Sequence, residues 1–270
     1  MGSMRNKLTN ELAVCGFNAA KALADHHPER INRLFLREEH LKAFSRACKD
    51  LAARKRPYKI CDDEELERIC KSPRHQGVVV MMEEPEILPL SEEDLDEWAL
   101  TAQTALILDS VGNDNNLGAI VRSAAFFGSR LVVLSEEDEE ARLTTSAYRV
   151  AEGGMEHVAF RSVRNVAAFL RDAKQKIVVI GADHRAKTRL KELPALVADQ
   201  RARLQAAAYA TQAGAQVGVG IVLGNEERGL SLDVVAACSL RARIPGTGDV
   251  ESLNVAQAAT LFLHELYEER

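Results

Sequence analysis

With 270 residues, 46% of them hydrophobic and 28% charged, the chain can build one large domain or two smaller ones with buried cores. No apolar run nears the roughly 18 residues of a membrane-spanning helix, and no signal-peptide stretch opens the chain, so a cytoplasmic protein without a membrane partner is expected. The five cysteines (Cys15, Cys48, Cys61, Cys70, Cys238) form no C-x-x-C pair and the histidines no H-E-x-x-H, which predicts reduced thiols and no metal site, while a net charge of −5 leaves nucleic acid only a local basic patch.

In chain order, Ile31 to Leu36 reads as a strand and Glu38 to Ala53 as an amphipathic helix. From Lys42 to Lys59 there are seven basic residues (Lys42, Arg46, Lys49, Arg54, Lys55, Arg56, Lys59) and one acid, Asp50. Arg54, Lys55 and Arg56 at its centre are the candidate contacts to nucleic-acid phosphates, a solvated helix face being the alternative. A short helix from Asp62 to Cys70, with Asp62 as N-cap, leads to a buried strand at Gly77–Met82. The segment from Glu83 to Pro89 and the acidic run Glu92–Glu97 read as a linker. The expected division is therefore residues 4–85, a linker at 86–103, and residues 104–270.

Past the linker, short β-branched strands at Ala105–Leu108, Leu131–Leu134, Ile177–Ile180 and Val219–Leu223 alternate with helices. The helices are expected at Leu117–Phe127, Val166–Ala173, about Leu193–Gln212 and from Asn254 onward. Such strands suit an α/β domain with a parallel sheet covered on both faces, whose ligand binds beyond the strands' carboxyl ends. No G-x-G-x-x-G follows a strand, and there is no P-loop and no G-x-S-x-G elbow.

Three loops concentrate the chemistry. In Leu108–Ala124, Asn116 is placed to cap a helix, Gly118 permits close approach at its first turn, and Arg122 falls near the positive helix end, which suggests an anionic partner such as RNA phosphate. In Ile221–Ser231, a strand ends at Gly224, where a ligand could approach the backbone, followed by Asn225, Glu226, Glu227 and Arg228. In Ile244–Ala259, Pro245, Gly246 and Gly248 make a loop with free backbone groups, and Ser252 and Asn254 cap a small-residue helix.

In this order and spacing the three loops resemble the three motifs of the SpoU branch of the knotted SPOUT methyltransferases, over about residues 104–270. Residues 8–82 are similar, more loosely, to a ribosomal-protein-like substrate-binding domain, through Cys15-Gly16-Phe17-Asn18-Ala19 and His75-Gln76-Gly77-Val78. Tyr148–His157 matches a further family segment. The resemblance implies a trefoil knot, exceptional among chains, and a homodimer whose active site is completed across the interface. It also implies transfer of a methyl group from S-adenosylmethionine to a ribose 2′-hydroxyl of structured RNA, ribosomal or transfer. By motif position, Leu223, Gly224, Ile244, Pro245, Gly246 and Leu253 line the cofactor, and Arg122, Asn116, Glu226, Ser252 and Asn254 are the polar site residues.

The chain departs from the family pattern at Asn115 (usually Pro), Glu227 (usually Gly), Gly246 (commonly Met) and Ala256-Gln257 (usually Ser-Val). The stretch from Lys187 to Ala215 is longer than the family core and reads as an inserted helix. Under this resemblance Arg122 sits at the 2′-oxygen, and its high pKa favours electrostatic stabilisation of the oxyanion over proton abstraction. An RNA-binding homologue that has lost turnover and a base methyltransferase of the wider knotted group are the competing readings. Methyl incorporation and nucleoside analysis separate them.

Overall fold

The structure is a computed structural model of the chain and describes residues 11–136, 143–208 and 216–268. It divides into two compact units. One holds Met1–Glu86 with Leu117–Arg122 and Arg142–His157; the other holds Ile87–Asn116, Ser123–Ala141 and Val158–Arg270.

The first unit begins with β1 (Glu11–Cys15), α1 (Phe17–His26), β2 (Ile31–Leu36), α2 (Ser45–Ala53), β3 (Tyr58–Ile60), α3 (Asp63–Cys70) and β4 (Val78–Glu83). Its sheet runs β1-β4-β2-β3, with β4 antiparallel to β1 and β2, and β3 parallel to β2 at the edge. Strand β2 has the expected bounds, and Asp62 caps α3 by accepting from the Glu65 amide. The single helix expected over 38–53 is instead a 3-10 turn at Glu38–His40 followed by α2. The break lets Phe44, 1% exposed, turn into the core against Phe17.

The two short stretches singled out in this unit meet: the Gly16 amide donates to the His75 carbonyl at 3.2 Å and the Phe17 amide to Gln76 Oε1 at 2.7 Å. The same unit includes α6 of the later chain (Thr145–Ala151) and the 3-10 turn Gly154–His157. There the buried Glu156 meets Arg30 at 3.2 Å, and Asn18 donates to Glu152 at 2.7 Å. Burial pushes the Glu156 carboxyl up, against the pull of Arg30 and His27.

Onward from residue 87 the chain forms β5 (Leu88–Pro89), α4 (Glu92–Leu100), β6 (Thr104–Leu108), α5 (Asp114–Phe126) and β7 (Leu131–Ser135) before α6. After α6 come β8 (Ala159–Val163), α7 (Val166–Ala173), β9 (Val178–Ala182), α8 (Leu193–Ala208), β10 (Val219–Leu223), α9 (Leu232–Ala237), β11 (Leu240–Ala242) and α10 (Val255–Glu265). The seven strands of this unit form one parallel sheet in the order β11-β9-β10-β6-β7-β8-β5. From β6 the chain winds outward through β7 and β8, then returns to build β9, β10 and β11 on the other side. The topological switch therefore lies between β6 and β10, where such sheets bind ligands.

The acidic run at 92–97, expected as linker, is helix α4. Ser91 and Asp94 form a capping box, acids fill the first turn where the helix dipole favours them, and Leu95 and Trp98 bury one turn apart. Arg161 of β8 grips Asp94 with two hydrogen bonds of 3.0 and 3.1 Å and holds its carboxyl down at about 2. The long helix expected near 193–212 is present as α8; its last expected residues lie outside the described ones. Arg201 ties α8 down by donating to the carbonyls of Val217 and Ala102.

Candidate active site

Strands β6 and β10 lie side by side, and the Asp109 amide donates to the Leu223 carbonyl at 2.8 Å just where both strands end. Beyond β10 the chain makes a tight loop built by Asn225, a residue the motif reading did not assign. Its Oδ1 accepts from the Glu227 and Arg228 amides at 3.0 and 3.1 Å, and its Nδ2 donates to the Ser110 carbonyl at 3.0 Å. The Gly229 amide closes the loop on the Asn225 carbonyl at 2.9 Å. An Asn followed by polar residues and a Gly is the sequence signal for such a turn.

Gly224 is needed for close approach, but of the loop itself. A Cβ there would lie 2.5 Å from the Gly229 carbonyl and 2.6 Å from the Leu230 nitrogen. The glycine is therefore required by the packing of the loop whether or not a ligand also approaches its backbone. Gly246 differs: a Cβ added there meets nothing within 4 Å.

Helix α5 begins three residues earlier than expected, because Asn113 takes the cap and accepts from the Asn115 amide. A proline at 115 would remove that donor, so the departure at Asn115 has a local reason. Asn116, expected as the cap, is freed inside the first turn. Its Nδ2 donates to Glu226 Oε1, while its Oδ1 accepts from Asn254 Nδ2 at 2.9 Å. Asn254 in turn caps α10, accepting from the Ala256 amide at 2.9 Å. One chain of side-chain hydrogen bonds, Glu226–Asn116–Asn254, thus joins all three loops.

The earlier start moves Arg122 into the third turn of α5, so the argument from the positive helix end does not hold. Arg122 is exposed and stands about 240° further round the helix than Asn116, at about 100° per residue. The hydrogen-bonded chain does not include it. Ser252 also stands outside that chain, exposed in the loop ahead of the α10 cap.

Leu223 is buried at the end of β10, and Ile244 is half-buried. From Pro245 to Asn254 every residue is exposed; Leu253 is 49% and Val250 77% open to solvent. Two uncovered apolar side chains, backbone groups and room at Gly246 fit a flat, partly apolar ligand such as a nucleoside.

In the first unit the basic residues differ in use. Arg54 donates to the carbonyls of Pro28, Glu29 and Ile31, so it holds the entry to β2 and is less available to phosphates than expected. Lys55 and Arg56 are exposed in the turn before β3. Among the described residues, no cluster of three His, Cys, Asp or Glu side chains could hold a metal ion, and no helix is long and apolar enough to cross a membrane.

A parallel α/β unit with three joined loops at its topological switch, in a chain that also holds a smaller α/β unit, is the class of fold that takes a ligand beyond its strand ends. Residues 103–264 match the model of the SpoU rRNA methylase family, and residues 13–88 match that of the RNA 2′-O ribose methyltransferase substrate-binding domain. The chain belongs to the SpoU rRNA methylase family. It is 29% identical over 262 residues to the 23S rRNA (guanosine-2′-O-)-methyltransferase RlmB of Bordetella pertussis, covering 95% of this chain and 97% of that one. To the same-named protein of Acinetobacter baylyi it is 30% identical, with 94% and 96% covered. Its fold is that of an AdoMet-bound rRNA methyltransferase from Sinorhizobium meliloti (TM-score 0.71, 20% identity, 96% and 87% covered). It is equally that of the SpoU methyltransferase AviRb from Streptomyces viridochromogenes in complex with AdoMet (0.67, 21%, 98% and 93%).

Proposed function

We propose that this chain is an S-adenosylmethionine-dependent methyltransferase acting on a ribose 2′-hydroxyl of structured RNA, with large-subunit ribosomal RNA as the first substrate to test. The observation that carries the reading is the Glu226–Asn116–Asn254 chain, which fixes three motif loops around the ends of β6 and β10. Relatives of the same length act on 23S rRNA, which supports that substrate and a cytoplasmic location. Residues 4–85 then bind the RNA and 104–270 catalyse, while 86–103, expected as a linker, contribute β5 and α4 to the second unit.

Bound S-adenosylmethionine supplies an activated methyl group on a cationic sulfur. Leu223, Ile244, Pro245, Gly246 and Leu253 would hold it, with Gly224 shaping the loop behind. Their exposed backbone groups suit recognition of a base edge. Asn116, Glu226 and Asn254 position these loops; Ser252 is placed to orient the ribose. Arg122 stabilises the developing oxyanion at the 2′-oxygen, and an RNA phosphate helps fix its guanidinium.

Arg122 stands about 120° from Asn116 around the same helix, outside the hydrogen-bonded chain, which supports a homodimer in which each Arg122 serves the partner subunit's site. The exposed Phe126 of α5 and Leu261 of α10 are suited to such an interface. The second and third loops are the place of the proposed trefoil knot. Incubating the full chain with methyl-labelled S-adenosylmethionine and unmodified ribosomal RNA tests the reading, through label retained in RNA.

A further inference from the structure

Strand β3 is the edge of the first unit's sheet, and all three of its residues are exposed. Tyr58 and Ile60, 45% and 50% open, alternate to one face of the strand, with Lys59 on the other. Tyr58 and Ile60 lie in register with Leu34 and Leu36 of β2, and Lys59 with Phe35, which packs against the buried cluster that includes Leu66 and Cys70 of α3. The tyrosine face is therefore the one away from α3. Single exposed apolar residues are ordinary. An aromatic and a branched residue side by side on an unpaired edge are not, because such edges invite unwanted pairing.

The charges beside them sort into two groups. Arg54 is committed to backbone carbonyls, and Lys59 to Glu65 Oε1 at 2.6 Å. Lys42, Arg46, Lys49, Lys55 and Arg56 are exposed and make no ion pair among the described residues. Arg46 and Lys49 share the outer side of α2, and α2 runs through Lys55 and Arg56 directly into Tyr58. An aromatic surface beside unneutralised cations calls for a ligand with flat rings and negative charge at short spacing. Paired RNA hides its base faces and presents a narrow major groove, so the match is an unpaired nucleotide with its flanking phosphates.

We propose that Tyr58, backed by Ile60, is a stacking platform for an unpaired base of the RNA substrate, and that Arg46, Lys49, Lys55 and Arg56 hold the adjoining phosphates. The assignment rests on the RNA-methylating function proposed above and adds which RNA feature the first unit selects: a loop or bulge. Tyr58 makes a geometric contribution through its ring face, and the cations make a salt-dependent one.

The test is binding by the full chain, without cofactor, of a fluorescein-labelled RNA hairpin with an unpaired loop and of a blunt RNA duplex of equal length. Wild type binds the looped RNA more tightly. Tyr58→Ala weakens that binding about tenfold and removes the preference, while its dependence on salt stays that of wild type. Tyr58→Phe retains both affinity and preference. The double variant Lys55→Ala, Arg56→Ala lowers the salt slope by up to about two units and keeps the loop preference. Tyr58 is exposed, so thermal melting of each variant stays close to that of wild type. The proposal is overturned if wild type shows no loop preference, if Tyr58→Ala binds as wild type, or if Tyr58→Phe loses as much as Tyr58→Ala. It is also overturned if Tyr58→Ala alters only association with another protein. Methyl transfer is read separately: a wild type that transfers no methyl to RNA contradicts the proposed function whatever the stacking result.

Discussion

Asn254 Nδ2 donates to Asn116 Oδ1 at 2.9 Å, so the residue that caps α10 is held by a residue in the first turn of α5. Because Asn116 also donates to Glu226, its amide is used at both ends, as donor to a carboxylate and acceptor from an amide.

That double use makes a sharp expectation. Asn116→Asp can still accept from Asn254 but cannot donate to Glu226, and it sets two carboxylates together. We expect Asn116→Asp to lose more stability than Asn116→Ala, the excess being about 1 kcal/mol by urea denaturation at pH 7 and disappearing at low pH, where protonation of one carboxyl relieves the repulsion. An aspartate variant as stable as wild type would mean that Glu226 and Asn116 do not share a hydrogen bond.

Much of the sheet was legible because its strands are short, apolar and β-branched; β2 and β10 fall where periodicity puts them. Helix α4 was not, since six residues of charge-rich sequence conceal a one-turn spacing of Leu95 and Trp98. Its Ser91–Asp94 capping box and the apolar Leu90 ahead of it were the available signals. In the site, Asn116, Glu226 and Asn254 were legible as polar candidates, but the geometry that joins them, and leaves Arg122 and Ser252 outside, turned on which of Asn113 and Asn116 took the cap. That choice displaced Arg122 by nearly a turn. The inward packing of Gly224 could not be read from a loop sequence whose return path is set by Asn225.

The two loop glycines separate folding from binding. Gly224→Ala places a methyl group 2.5 Å from the Gly229 backbone and should destabilise the protein by about 2 kcal/mol or more in thermal or urea unfolding. Gly246→Ala fills open space, so it should leave stability unchanged while weakening S-adenosylmethionine binding several-fold in calorimetry. Equal, small effects on stability from both would contradict the packing described for Gly224.

Arg122→Ala should keep cofactor affinity within a few-fold and slow methyl transfer by at least about 100-fold, with Arg122→Lys recovering little. If Arg122 serves the partner subunit's site, unfolding and refolding inactive Arg122→Ala together with inactive Asn116→Asp restores up to about a quarter of wild-type activity, since half of the dimers are mixed and each has one intact site. No recovery would place Arg122 in its own subunit's site.

The Asp94–Arg161 pair has a pH signature. The folded carboxyl is held down at about 2, below its unfolded value, so its stabilisation is full above the unfolded pKa and is lost as pH falls through about 2. Asp94→Asn should cost about 2 kcal/mol at pH 7, and the gap to wild type should shrink as pH is lowered from 4 towards 2. A gap that is constant with pH would remove the ion pair from the account of how α4 is anchored.

The most direct measurement is nucleoside analysis of ribosomal RNA, taken from cells lacking this protein and incubated with the pure full chain and methyl-labelled S-adenosylmethionine. The account predicts label in a single 2′-O-methylated nucleoside, absent when Arg122→Ala replaces wild type. Label in a base-methylated nucleoside, or no label in RNA of any class from a chain that binds the cofactor, would contradict it.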